Sequence, residues 1–301
     1  MEPLSICLNS DEFPFLCYHQ TPSNQSAMNT VASQPARLET YPDRESAQRG
    51  FTLVELLVVI AIIAILASLL LPVLSKGKAR AQTIDCIDHL RQLQLCWHMY
   101  THDNNGSLVP NNFVAYVTMG STNSPVIGNR GSSWCTTLAT EDTNPINDQT
   151  SMLFDYNRNS AIYHCPADSS TVTGRPDLLR NRSFNMSNSC NLTNANHFER
   201  ESEIRSPSTL FVFIDTDADE ISDPTFGVIS LGDYFQDYWL DIPADRHNTR
   251  GCDLTFADGH VESWKWKARK GGRLPGSHTI SADDLDDLRR LQQCIKGAGG
   301  N

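Results

Sequence analysis

The sequence predicts an α+β protein: one long N-terminal helix, apolar in its first half, packed on a small β-rich head of antiparallel strands with long loops. Three observations carry that expectation. From Leu56 to Leu71 no residue is charged and Ser68 is the only polar one. Apolar residues then recur at helical spacing as far as Tyr100. After that come short strand-length runs between Asn-, Ser-, Thr- and Pro-rich stretches, closing on an Asp258-Gly259 turn signal.

The helix comes first in the chain. Phe51 to Leu74 is 24 residues, about 36 Å at ~1.5 Å per residue, enough to cross a hydrocarbon core of ~30 Å. A secretory signal would have a shorter apolar core ending at a small-x-small site. This run ends in Leu70-Leu71-Pro72 and leads into Lys76, Lys78 and Arg80, so cleavage after it is not expected. Glu55 is the anomaly, because a carboxylate deep in the membrane costs about 2.5–3.5 kcal/mol and needs either a partner or an interfacial seat. Further on, Thr83, Cys86/Ile87, Leu90, Leu93, Trp97 and Tyr100 form one apolar stripe. Pro72 is expected to kink or weaken the helix, and Asp103-Asn104-Asn105-Gly106 to end it near residue 102. The expected divisions are 1–50 ahead of the helix, 51–74 in the membrane, 75–104 as its outer continuation, 105–276 as the head and 277–301 as a helical tail.

In the head, Leu210-Phe211-Val212-Phe213-Ile214-Asp215 is of strand length. Residues 252–266 read as a hairpin whose two-residue Asp258-Gly259 turn sets Phe256 opposite Val261 and Asp253 opposite Trp264. In the tail, Ser281 and Asp284 make a capping-box-like start. Asp283, Asp284, Asp286 and Asp287 suit the positive end of a helix, and Arg289, Arg290 and Lys296 its negative end. Leu285, Leu288, Leu291/Gln292 and Ile295 are placed to dock that helix on the head.

Composition excludes several classes. A net charge of -11 argues against broad nucleic-acid binding, which needs basic surface, and 17 Gly with 15 Pro excludes collagen-like sequence. Nine cysteines lie at 7, 17, 86, 96, 135, 165, 190, 252 and 294 without a CxxC pair. Neither a zinc knuckle nor a thioredoxin motif is present, and nothing in the spacing reads as a metal–thiolate site. Most are expected to be small buried residues. If the region lies outside the cytoplasm, a Cys165–Cys190 disulfide is the favoured pairing, since both sit in loop-like sequence.

Arg49-Gly50-Phe51-Thr52-Leu53-Val54-Glu55-Leu56-Leu57-Val58-Val59-Ile60 resembles the processing and methylation signal of type IV pilins and type II secretion pseudopilins. The resemblance implies peptidase cleavage between Gly50 and Phe51 and N-methylation of Phe51. It also implies pairing of Glu55 with the terminal amine of a neighbouring subunit. Arg49 replaces the family's usual Lys and keeps its charge. Residues 1–50 are long for such a leader and carry three Arg and six acids. A start at Met28 gives a more typical leader of 23 residues, so 1–27 are expected to be a misassigned extension or a dispensable tail. Without residues 1–50 the chain keeps 21 basic and 29 acidic residues, about -8.

Arg246-His247-Asn248 followed by Leu254-Thr255-Phe256-Ala257-Asp258-Gly259 is similar to the terminal His-x9-Asp-Gly motif of a subgroup of pilin-like proteins, here with ten residues in the gap. Cys165-Pro166-Ala167-Asp168, Ser183-Phe184-Asn185 and Ile214-Asp215 also resemble that subgroup. His247, Asp258, His260 and His164 could be drawn as an acid/base or metal cluster, but turn geometry alone explains Asp-Gly-His, and GxSxG, HExxH and Gly-rich phosphate loops are absent. Asp215, Asp217 and Asp219 offer clustered carboxylates to calcium, and a head-bound calcium is common in major pseudopilins. The string fails the EF-hand template, since Glu220 stands where Gly is needed and Phe226 where the bidentate Glu belongs, and a solvated acidic loop is the simpler reading.

The expectation is a non-catalytic pilin-like subunit of the inner membrane, single-pass, with its head in the periplasm or on the cell surface. Its expected partners are a prepilin peptidase/N-methyltransferase, other pilin-like subunits and secretion or pilus assembly machinery, with no cofactor beyond the calcium option. The alternative is a membrane-tethered head that captures polysaccharide or another surface ligand with exposed Trp and Tyr.

Overall fold

A computed structural model describes residues 51–111, 133–135, 139–140, 151–192, 196–219, 221, 224–247, 250–273 and 276–297. Residues 1–50, with the leader, the Met28 start and Gly50, lie outside the described residues. The chain divides into two units at Glu55/Leu56; of the first, only residues 51–55 are described.

Helix α1 spans Leu53–Asp103, about 76 Å at 1.5 Å per residue. It runs on through Pro72, where the Ser68 and Ser75 hydroxyls donate to the carbonyls of Ile65 and Pro72. Its end, one residue later than expected, has Asn105 and Gly106 at φ 55° and 80°. The Asn104 and Gly106 N–H groups donate to the Tyr100 and Thr101 carbonyls, which satisfies two acceptors of the last turn. Its apolar residues from Leu53 to Leu74 are all exposed apart from their helix neighbours. From Thr83 onward one face is buried, including Cys86, Leu90, Leu93, Gln94, Cys96, Trp97 and Thr101.

A short α2 (Phe154–Asn157) follows. The strands are β1 (Thr171–Val172), β2 (Arg175–Leu179), β3 (Phe184–Ser187), β4 (Phe211–Asp215), β5 (Thr225–Phe226), β6 (Tyr238–Trp239), β7 (Gly251–Phe256), β8 (Val261–Lys265) and β9 (Ser277–His278), before α3 (Ala282–Gln292). The central sheet has the order β5-β3-β4-β7-β8, antiparallel except for β3–β5. β1–β2 and β6–β9 form two small antiparallel pairs.

Both faces of the central sheet are covered. On one, Leu90, Leu93 and Trp97 of α1 share a core with Phe184, Met186 and Phe213. On the other, Leu288 and Leu291 of α3 join Phe211, Ile214, Leu254 and Phe256. Burial on both faces removes the usual in/out alternation, and all six residues of β7 are buried. An irregularity in the β4–β7 register between Phe211 and Ile214 puts Val212 and Phe213 together on the α1 side.

The expected hairpin exists, one register step from where counting placed it. Thr255 faces Val261 and Cys252 faces Trp264. The Phe256 N–H donates to the His260 carbonyl and the Gly259 N–H to the Phe256 carbonyl, so the loop holds three residues. Gly259 at φ 96° supplies the left-handed residue of such a loop.

The tail helix also forms as read: the Ser281 Oγ accepts from the Asp284 N–H, and Leu288, Leu291, Gln292 and Ile295 are buried. It does more than dock. Asp284 and Asp287 are buried as well, each 2.8 Å from the buried ammonium of Lys270. The Trp239 indole donates to Asp284, and Lys270 lies 4.7 and 5.2 Å from the Trp239 and Trp266 ring centres.

Candidate functional site

Two places carry chemistry. In the N-terminal unit, the backbone N–H and hydroxyl of Thr52 donate to Glu55 Oε2 at 2.9 and 2.7 Å, and the Glu55 N–H donates back to Thr52 Oγ1 at 3.2 Å. This is a reciprocal capping box on the first turn of α1. The Thr-x-x-Glu spacing of residues 52 and 55 is its signal in the sequence. Both donated bonds fall on one carboxylate oxygen.

The second place is buried between α1 and the sheet, and it gathers the scattered motifs. α1 brings Thr83 and Cys86, the turn after residues 160–163 brings Cys165 and Asp168, β4 ends in Asp215, and the segment before β7 brings Arg246 and His247. One donor atom each from Cys86, Cys165, Asp215 and His247 lie within 4.8 Å of one another, and all four side chains are buried. His247 Nε2 is 3.1 Å from Cys165 Sγ, 3.3 Å from Asp215 Oδ2 and 3.5 Å from Asp253 Oδ2. Around this core, Arg246 Nη1 lies 2.8 Å from Asp168 Oδ2 and 3.4 Å from Asp215 Oδ1, and the Ser183 hydroxyl donates to Asp168 at 2.6 Å.

Burial and charge oppose each other here. Burial disfavours the His247 imidazolium, but its bonds to Asp215 and Cys165 prevail and hold its pKa at about 10. Burial likewise raises Asp168, but Arg246 and Ser183 outweigh it and leave the carboxyl at about 2. Burial raises the Cys86 thiol, and the adjacent Cys165 raises it further. The Cys165 thiol is lowered: burial opposes ionisation, and hydrogen bonds from Cys86 and His247 override it.

Several sequence expectations need correction. Scattered spacing does not keep the cysteines from a possible metal site, because Cys86 and Cys165, 79 residues apart, are brought together by folding. Cys165 and Cys190 are both free thiols rather than a disulfide, since Cys165 lies beside Cys86 while Cys190 is enclosed in the core with its pKa raised to about 12. Asp215, Asp217 and Asp219 do not act as a set: Asp215 joins the cysteines, whereas the Asp217 carboxylate accepts from the Asp219 N–H in a local turn. The two parts of the terminal motif do not meet, in keeping with the turn-geometry reading of Asp-Gly-His. His247 precedes β7 and Asp258-Gly259 follows it, so six strand residues separate them, roughly 20 Å at ~3.3 Å per residue. Asp258 pairs locally with His260, whose ring stacks on Phe256. All five Trp are buried, so no Trp serves surface capture; among the described residues of the head the exposed aromatics are Tyr234 and Phe235. Thr83 and Asp253 carry no site signal in the sequence, where they read as a stripe member and a hairpin residue, and Arg246 appears only as part of the Arg246-His247-Asn248 string.

With that geometry in place, the class of protein can be stated: a membrane-helix protein similar to pilins and pseudopilins. Residues 46–71 match the prokaryotic N-terminal methylation motif. The chain is 40% identical over 77 residues to the type IV wide pilus major component PilA4 of Thermus thermophilus, covering 26% of this chain and 57% of that one. It is 43% identical over 58 residues to the type II secretion system core protein G of Pectobacterium carotovorum, covering 19% and 37%. The Escherichia coli core protein G gives 43% over 58 residues, covering 19% and 40%. The chain thus spans about half, or less, of the curated relatives it matches. No solved structure matches it. The methylation motif ends at residue 71 and bears on the helix alone, not on His247 or Asp258-Gly259.

Proposed function

We propose that the chain is a non-catalytic, pilin-like subunit. A prepilin peptidase cuts it between Gly50 and Phe51, Phe51 is N-methylated, and residues 51–74 hold it in the inner membrane with the head in the periplasm or on the cell surface. Subunits then assemble helix to helix into a type II secretion pseudopilus or a type IV pilus-like filament. The supporting observation is the methylation motif at 46–71, continued by one unbroken helix whose apolar first part is bare and whose far part is built into a folded head. Ile84, Leu95 and Met99 also stay exposed on α1 beyond the membrane part, leaving apolar surface for neighbouring helices.

Glu55 has two roles in this reading: it caps its own helix through Thr52, and it offers its carboxylate to the Phe51 amine of the next subunit. Gly50→Val is expected to leave the precursor uncut in its host, read as unshifted mass on a membrane immunoblot. Glu55→Ala is expected to be cut but absent from sheared filaments. Normal assembly of the Ala variant would overturn the pairing role.

A further inference from the structure

We propose that Cys86, Cys165, Asp215 and His247 form a closed, tetrahedral zinc site that ties helix α1 to the central sheet. The proposal does not depend on the filament reading, because none of these residues lies in the methylation motif.

Convergence is the first argument. Zinc bonds of ~2.0–2.3 Å set ligand–ligand edges of roughly 3.3–3.8 Å in a tetrahedron. The Nε2···Sγ and Nε2···Oδ2 separations of 3.1 and 3.3 Å are close to that scale, and no pair among the four donors exceeds 4.8 Å. Two sulfurs, one imidazole and one carboxylate suit zinc rather than calcium or magnesium, which prefer oxygen.

The second argument fixes which nitrogen faces the ion. The Thr83 hydroxyl donates to the Ala79 carbonyl at 3.0 Å. Its oxygen, 3.1 Å from His247 Nδ1, is then left to accept, which places a proton on Nδ1. A bound metal ion displaces the proton that the imidazolium otherwise holds on Nε2, and leaves that nitrogen's lone pair among Cys165 and Asp215. Thr83 is therefore the hydrogen-bonded support that metal-bound histidines characteristically have.

The same geometry separates a metal site from a Cys-His-Asp catalytic relay. A relay uses both ring nitrogens, one toward the nucleophile and the other toward the acid. Here Cys165 and Asp215 converge on the same nitrogen, the other faces Thr83, and no member is exposed to a substrate. Asp215 adds an independent pointer: it is fully buried, and its carboxylate oxygens have only long contacts, of 3.3 Å or more, with His247 and Arg246. Its charge partners are Arg246 at 3.4 Å and His247 at 3.3 Å, both looser than the 2.8 Å Arg246–Asp168 pair, and a buried carboxylate so loosely held is costly.

The test uses the full chain, purified in detergent under reducing conditions, with metal content measured by elemental mass spectrometry. About one zinc per chain is expected, and Asp258→Asn should keep it. Cys165→Ser and His247→Gln should each lose roughly tenfold or more in affinity, and Thr83→Val, which spares every ligand, about tenfold. Ligand variants that fail to fold are covered by the wild type itself, since replacing zinc with Co(II) should give the intense visible bands of tetrahedral, thiolate-bound cobalt. A wild-type chain that takes up neither metal, a Co(II) spectrum without sulfur charge transfer, or a Cys86–Cys165 disulfide in non-reducing peptide maps of the cellular protein would each overturn the proposal.

Discussion

Gly251 and Gly77 show how the same substitution takes opposite signs. A Cβ on Gly251 would lie 2.1 Å from the Trp264 carbonyl oxygen, where β7 and β8 pair closely next to His247, whereas one on Gly77 meets nothing within 4 Å. Gly251→Ala is expected to destabilise by about 1–3 kcal/mol. Gly77→Ala, in a helix interior, is expected to stabilise by about 1 kcal/mol. Thermal melts of the full chain in detergent check both. Asp168 makes a pH prediction: its folded pKa of about 2 lies below its ordinary value of 3.8. Its contribution to stability is therefore complete above pH ~4 and is lost as the pH falls toward 2, by roughly 2 kcal/mol in all. Asp168→Asn should flatten that part of the stability–pH curve; an unchanged acid limb would count against the Arg246–Asp168 pair. At Glu55, Thr52→Ala removes the cap but leaves the carboxylate. It should cost the first turn about 1 kcal/mol and permit assembly, in contrast to Glu55→Ala.

Among the elements, those with local signals were legible and those fixed by distant partners were not. The apolar stripe of α1, the Ser281 cap of α3 and the existence of the β7–β8 hairpin follow from spacing and turn chemistry. The hairpin's register does not, because Asp-Gly serves both two- and three-residue loops and only the Phe256–His260 pairing distinguishes them. The acids at the start of α3 read as favouring the positive end of its dipole, and only the fold shows that Asp284 and Asp287 turn inward onto Lys270. Lys270→Met is expected to cost about 3 kcal/mol, since it takes the ammonium from buried Asp287 while Asp284 keeps Arg273. Lys267→Ala, which breaks an exposed pair with Asp286, should leave stability nearly unchanged. Chemical denaturation tests the contrast, and early proteolytic release of the tail in the Lys270 variant would show that α3 undocks.

For the whole molecule, the sequence separates a membrane helix from a polar head, and the structure joins them through one continuous α1. The buried site was only partly legible. Cys165-Pro-Ala-Asp168, Ser183, Asp215 and His247 stood out as separate motifs, but their meeting point requires Cys86 and Thr83, which counted in the sequence only as members of an apolar stripe. A stripe records which face is buried and says nothing about what that face meets. The central claim, that the chain is cut and anchored as a pilin-like subunit, is tested most directly by intact-mass and N-terminal analysis of the protein from membranes of its own host. A mature chain beginning at N-methylated Phe51, replaced by uncut precursor when the prepilin peptidase is deleted, is the expected result. A membrane-bound chain that retains residues before Phe51 in the presence of the peptidase would contradict it.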